Sequence, residues 1–421
     1  MIKNTAPRRL LLFILILAFV LRIVWIFMFP DIDVGLRGDG KYYDLKAQNI
    51  LQGKGYSGNN NFAFRPPGYA LFLASIYSVF GHNLLAVKII QAIISILTCL
   101  IIFAFSKILF NRTVALFSAA LFAFYPLFIR YSAEFWTETL FIFLFFLSLF
   151  FLVKGSDKPS CSYEILSGIF LGLAALTREV ALLYTIPIGI WLYICSPRPG
   201  RLKYVFKKFG VLTAFLLLTI MPWTIRNYIV FQKFVPISTN GGINFYIGNN
   251  PIANGKYMPE LDPYTKWPAE NYEKDTEVLI QTELTRHTEG YKKGIEFVRQ
   301  NPSKFIKLAK RKFDVLWKVP FHDMNTKITI GETIFRLIWI IIYIFILITL
   351  IPSIFFSAKT FGRRASLLYF ILIIGTGIHM ITFSTIRFRL PYIPLLMILA
   401  SVTIDQIVKL IKLRHLKTQS E

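Results

Sequence analysis

The sequence predicts an all-α polytopic membrane protein with about ten transmembrane helices, an interfacial helix in the first outer loop and a small outer-face domain. Three observations carry that expectation. Of the 421 residues, 55% are hydrophobic and only 17% charged, against roughly 25% charged in a soluble domain. The apolar residues come in blocks of about 20, the length that the hydrocarbon core of a bilayer requires. Lysine and arginine concentrate in alternate connections, as the positive-inside rule expects of short cytoplasmic loops. A soluble enzyme is excluded.

The first block, 10–29, follows a basic flank of Lys3, Arg8 and Arg9. No small-residue cleavage signal follows it, so it reads as an uncleaved anchor. Further spans are expected at 83–110, 113–131, 134–153, 163–177, 180–195, 209–230, 333–356, 366–384 and 391–411. Between 163 and 195, Arg178-Glu179 and Pro187 break the apolar run into two short halves. Counting ten crossings puts Lys107/Arg112, Lys154/Lys158, the cluster Arg198 to Lys208, Lys359/Arg363/Arg364 and the tail from Lys409 to Lys417 on the side of the N-terminal flank. Both termini are then cytoplasmic, in a plasma (bacterial inner) membrane. Three parts are expected: a transmembrane module over 1–230 with a first outer loop at 31–81, an outer-face domain over 231–330, and C-terminal helices with a basic tail over 331–421.

The formal charge of +24 is largely explained by this topology, since basic loops lie against an anionic inner leaflet. No basic recognition helix, RNA-binding signature or zinc finger is present, so nucleic acid is not an expected partner. Cys99, Cys161 and Cys195 show no paired spacing, and five scattered histidines include no His-x-x-x-His; neither a disulfide framework nor a histidine metal site is implied. The sequon Asn111-Arg112-Thr113 falls on the cytoplasmic side and carries no meaning there.

The chemistry is expected at charges placed where charge is expensive. Asp31, Asp33, Asp39 and Asp44 crowd the first outer loop, where they could hold a divalent cation or act as a general base on a hydroxyl. The ordinary alternative is a solvated loop with Asp39 as the N-cap of a helix through Tyr42, Ala47 and Leu51. Arg65-Pro66-Pro67-Gly68-Tyr69 opens a short apolar helix ending at Gly81, too short to span and suited to the outer interface. Arg22, Arg178, Arg387 and Arg389 sit within or beside apolar spans, and Glu134 and Glu138 sit where the fourth span begins. Snorkelling would account for Arg387 and Arg389, helix-terminus placement for the two glutamates, and an ion pair with a glutamate for Arg178. Carboxylates facing arginines in one cleft would instead suit glycosyl transfer from a lipid phosphate. The acid removes an acceptor proton and the guanidiniums hold the departing phosphate.

Several ordered pieces then resemble the GT-C membrane glycosyltransferases, in particular the bacterial branch of the dolichyl-phosphate-mannose–protein mannosyltransferase superfamily that includes the lipid A aminoarabinose transferases. They are Gly38-Asp39-Gly40-Lys41-Tyr42-Tyr43, Arg65-Pro66-Pro67-Gly68-Tyr69, Thr137-Glu138, Leu176-Thr177-Arg178, Gly248-Asn249-Asn250-Pro251, and Arg387-Phe388-Arg389-Leu390-Pro391. The resemblance implies a GT-C-like fold and an inverting transferase that uses a polyprenyl-phosphate sugar at the outer face. In it Asp39 matches the first-loop base, Glu138 a supporting acid, and Arg178 and Arg387, with Arg389 beside them, the surroundings of the donor phosphate. Tyr43, Asp44, Arg65 and Glu134 are expected in support. The aminoarabinose transferases carry Glu-Lys-Pro-Pro where this chain reads Phe64-Arg65-Pro66-Pro67, so a metal-holding glutamate is absent there, which counts against aminoarabinose transfer. The expected partners are the lipid-linked donor, membrane lipids and a lipid, glycan or protein acceptor. Two other readings stand beside this one: a transporter or flippase for lipid-linked saccharides, and a glycan polymerase or ligase with a diphosphate-linked donor.

Overall fold

The computed structural model describes residues 6–29, 38–58, 61–197, 199–258, 261, 276–319 and 330–418. Among them the regular structure is helical, with no β-sheet and one isolated parallel bridge between Lys256 and Ser384. The chain runs through α1 (Ala6–Met28), α2 (Asp39–Leu51), α3 (Gly68–Phe80), α4 (Leu84–Leu109), α5 (Arg112–Phe124) and the short α6 (Pro126–Tyr131). It continues with α7 (Glu138–Gly155), α8 (Ser162–Thr177), α9 (Thr185–Cys195), α10 (Arg201–Phe231), α11 (Gly241–Gly248), α12 (Thr276–Gln300) and α13 (Pro302–Trp317). The last three are α14 (Ile330–Phe361), α15 (Ser366–Ile381) and α16 (Ile393–Thr418).

Each of the ten apolar segments read from the sequence is helical. Seven of these helices, α1, α4, α7, α10, α14, α15 and α16, are long and apolar enough to cross a membrane, the last two together with the 3-10 turns that lead into them. The chain is an all-α polytopic membrane protein. The shorter α5, α8 and α9 end where local chemistry stops them. The segment expected as one span over 113–131 breaks because Tyr125 precedes Pro126 and takes ψ 117°, the extended backbone that a following proline enforces. Thr177 ends α8 because Arg178 is extended (φ −147°, ψ 114°), and a 3-10 turn, Glu179–Tyr184, then leads into α9. The fourth span begins at Glu138, not at 134, and α10 begins at Arg201, ahead of its apolar part.

The core is built on α7, whose Phe141, Phe145, Phe146, Leu149 and Leu152 are buried between α4 and α8. On the far side of α8, Gly172 lets α10 approach so closely that a Cβ there would lie 2.7 Å from Thr219, the small-residue packing that membrane helices favour. Phe13 and Ile16 of α1 and Ile341 and Ile348 of α14 face outward, as lipid-facing side chains do. Arg22 is wholly buried: its Nε donates to Ser95 Oγ at 2.9 Å, and its Nη1 to the carbonyls of Ala18 and Ala123 at 3.0 and 3.1 Å. At one end of the bundle lie α2, α3 and α11–α13, with α11 packed on α12 and α13 packed on α15.

The opposite end carries the basic connections and is closed by polar contacts. Asn111, the sequon residue, caps α5 by accepting the Val114 N–H at 2.9 Å and donates to Asp405 at 2.9 Å. Arg364 pairs with Asp157. Glu164 of α8 and Lys208 of α10, both buried, meet at 2.8 Å, and the ammonium also donates to Ser160 O at 2.8 Å. Lys208→Met leaves that carboxylate uncompensated, and an expected loss of about 3–5 kcal/mol is measurable as a lower denaturation midpoint in detergent.

Candidate active site

Asp39 is the first residue of α2. Gly38 occupies the N-cap position, and the Asp39 carboxylate makes no capping bond. It is taken instead by two arginines. Arg65 Nη2 lies 2.7 Å from Oδ1, and Arg387 Nη1 donates to Oδ2 at 2.7 Å. Arg65 comes from the proline-stiffened stretch before α3, where Gly68 docks on the end of α8; a Cβ there would lie 2.7 Å from the Leu176 carbonyl. That docking brings Arg65 to the side of the bundle where the chain breaks at Arg178. Arg387 comes from a 3-10 turn, Ile386–Tyr392, that introduces α16.

Glu138, in the first turn of α7, is the second hub. It accepts from Arg178 Nη1, from Arg387 Nε and, at 3.2 Å, from Arg387 Nη2. Arg387 thus bridges both acids, and its guanidinium lies 3.6 Å from the centre of the Trp136 ring. Arg178 rests between Phe141 and Phe388. Three guanidiniums against two carboxylates leave the cluster one positive charge in excess. The acids differ in access: the Glu138 side chain is 1% exposed and the Asp39 side chain 18%. Burial alone would push the Asp39 carboxyl up, but Arg65 and Arg387 outweigh it and bring it down to about 2. Burial opposes the charge on Arg65, yet Asp39 and the neighbouring tyrosines hold its pKa above the ordinary value.

Of the remaining expected residues, Tyr43 stays beside the cluster, within electrostatic reach of Arg65 and Asp39, and the others fall elsewhere. Tyr43 packs edge-on against Tyr42 and Tyr69, and burial pushes its phenol up to about 12. Asp44 accepts from Tyr77 at 2.6 Å and Gln48 at 2.7 Å, and meets His82 at 2.8 Å in a separate knot. Glu134, in the turn before α7, pairs with Arg130 at 2.7 Å. Arg389 points away from the acids: it is fully buried and donates to the carbonyls of Leu316 and Lys318 at the end of α13. Asp31 and Asp33 lie outside the described residues, and no group of three His, Cys, Asp or Glu side chains among the described residues is placed to hold a metal. Asp39 is shared by two arginines and Asp44 by its own knot.

Two features carry no signal in the sequence. Trp136 is one aromatic among many. Glu283, a single acid in the mixed-charge α12, is 2% exposed and accepts the N–H groups of Phe62 and Ala63 at 2.6 and 3.0 Å. Nearby, Lys46 donates to the carbonyls of Gly58 and Asn61 at 2.6 and 2.7 Å. Burial brings its ammonium down to about 7, and that of Lys312 on α13 to about 8. Between about pH 7 and the ordinary lysine value near 10.5 the unfolded chain binds more protons than the folded one, so stability rises with pH across that window. Below about 7 both states are protonated and the full cost of burial is present. Melting curves in detergent at pH 6.5, 8 and 9.5 should show the rise, and Lys46→Met should flatten it.

Residues 64–225 match the family model described as dolichyl-phosphate-mannose-protein mannosyltransferase, a stretch that includes Arg65, Glu138 and Arg178. No curated protein matches the chain by sequence. Among solved structures, the chain is similar to the Archaeoglobus fulgidus oligosaccharyltransferase tethered to an acceptor peptide with the NVT sequon. That match has a TM-score of 0.63 at 13% identity, over 98% of this chain and 51% of that one. The oligosaccharyltransferase AglB of the same organism, in complex with an inhibitory peptide and a dolichol-phosphate, gives 0.59 at 13% identity over 100% and 52%. The chain therefore spans about half the length of these relatives. It resembles the GT-C glycosyltransferases through the mannosyltransferase match at 64–225 and through a fold shared with half of the archaeal oligosaccharyltransferase.

Proposed function

We propose that the chain is a membrane glycosyltransferase that moves a sugar from a polyprenyl-phosphate donor to an acceptor hydroxyl at the outer face, with inversion at the anomeric carbon. The observation that carries this reading is the cluster itself: an accessible carboxylate, Asp39, held between Arg65 and Arg387, with Arg178 and the buried Glu138 behind. In a single displacement, the Asp39 carboxylate takes the acceptor hydroxyl proton while the oxygen attacks the anomeric carbon. The bond from that carbon to the phosphate oxygen breaks, and the polyprenyl phosphate leaves with the electron pair. Arg65, Arg178 and Arg387 offer planar, permanently charged donors for the added negative charge. Glu138 keeps two of those guanidiniums aligned.

The resting site also suggests an order of events. Two guanidiniums depress the basicity of Asp39, so the acid works as a base only when a phosphate draws them off. Donor therefore binds before acceptor. The peptide and dolichol-phosphate bound to AglB support a lipid-phosphate donor and leave the acceptor class open among lipid, glycan and protein.

The test is reconstitution of the purified chain in vesicles with undecaprenyl-phosphate sugar on the site-bearing side. Release of undecaprenyl phosphate with glycosylation of the acceptor is expected. Movement of intact lipid-linked sugar across the bilayer, or consumption of diphosphate-linked sugar only, would favour the transporter or polymerase readings instead. Mass spectrometry of surface glycans and lipids from a deletion strain identifies the sugar and its acceptor together.

A further inference from the structure

The two arginines that flank Asp39 are each held by the helices at the site end of the bundle, and by different ones. On one side, Glu283 of α12 accepts the N–H groups of Phe62 and Ala63, three and two residues before Arg65. Thr239 supports this contact by donating its hydroxyl to Glu283 and its N–H to the Ala63 carbonyl at 2.9 Å. On the other side, Arg389 lies two residues after Arg387, with its face 4.0 Å from the centre of the Tyr343 ring. Its Nη1 donates to Lys318 O at 2.8 Å and Leu316 O at 3.3 Å, at the end of α13 where unsatisfied carbonyls and the helix dipole favour a cation. Glu283 and Arg389 are both buried, and neither makes a hydrogen bond to Asp39, Glu138 or Arg178.

We propose that α12 and α13 act as a jig for the site, with Glu283 and Arg389 as positioning residues that set Arg65 and Arg387 at their separation across Asp39. The kinetic meaning of this rests on the proposed transfer from a lipid phosphate; the geometry does not. A carboxylate suits the Glu283 position because both of its oxygens accept, and the two adjacent N–H groups each need an acceptor. Glutamine offers one acceptor and turns an NH2 donor against the second N–H. The backbone before Arg65 must then shift, and a displacement of about 1 Å in a binding group is enough to cost a factor of 10² in function.

The experiment uses the purified full chain in detergent, with undecaprenyl phosphate as the binding probe and amide hydrogen exchange as a second readout. Glu283→Gln and Arg389→Met should each raise the Kd for undecaprenyl phosphate about tenfold, and Glu283→Asp should do so less. In an Arg65→Gln background, Glu283→Gln should add less than about twofold, because the group it positions is already gone. The control Lys208→Met, destabilised at the opposite end of the bundle, should leave Kd unchanged. The amides of Phe62 and Ala63 should exchange faster in Glu283→Gln. The inference is overturned if Glu283→Gln binds the probe as the unmodified chain does, or if its effect is undiminished beside Arg65→Gln. Failure of the unmodified chain to bind the probe would sink the donor assignment instead. In that case exchange decides the positioning role, and unchanged exchange at Phe62 and Ala63 rejects it.

Discussion

Asp39→Asn should lower kcat for transfer by about 10³-fold, within the range that general-base catalysis contributes, while the donor KM stays level or falls. The substitution keeps the shape of the side chain and removes its ability to accept a proton. It also removes one negative charge from a cluster that carries a single positive excess, so the site becomes more attractive to a phosphate. A base and a phosphate ligand are thereby told apart by the sign of the KM change. Steady-state kinetics with varied undecaprenyl-phosphate sugar measures both constants. Near-normal kcat in Asp39→Asn would remove Asp39 from the chemistry, and a sharp rise in KM would reassign it to binding.

Arg387→Met should be the more damaging change, because one side chain serves both acids. Glu138 is buried and would keep only Arg178, and leaving a buried charge short of its partner costs about 3–5 kcal/mol. Asp39 would keep only Arg65. The donor phosphate loses a bridging guanidinium, so KM should rise as kcat falls, with kcat/KM down by about 10³-fold or more. Arg387→Lys restores the charge but cannot reach Asp39 and both oxygens of Glu138 at once, so it should recover stability more fully than activity. Equal recovery of both would mean that position 387 supplies charge alone.

The helices were legible because membrane-spanning length is written in consecutive apolar residues: all ten segments are helical, and seven of the helices are long and apolar enough to cross a membrane. Their ends were less so. The hydropathy of 113–131 runs unbroken through Tyr125-Pro126, where backbone sterics stop the helix, and the apolar Phe135 and Trp136 hid the true start of α7 at Glu138. Costly charge pointed to Asp39, Glu138, Arg178 and Arg387, which the fold gathers from four separate segments. The same reasoning placed Arg389 beside the phosphate, yet its guanidinium is buried with its Nη1 taken by the carbonyls at the end of α13. Asp44 and Glu134 are satisfied by local partners that spacing does not reveal. Glu283 could not have been singled out, since its role exists only through contact with backbone more than two hundred residues away.

The ion pair between Asp39 and Arg387 joins positions 348 residues apart, and it bears on the life of the protein before folding is complete. During insertion the acid enters with the first loop, and the arginine arrives only with the final helix. A nascent or C-terminally truncated chain holds the carboxylate without the guanidinium that bridges it to Glu138. On the proposed reading, catalytic competence would then coincide with completed assembly in the bilayer.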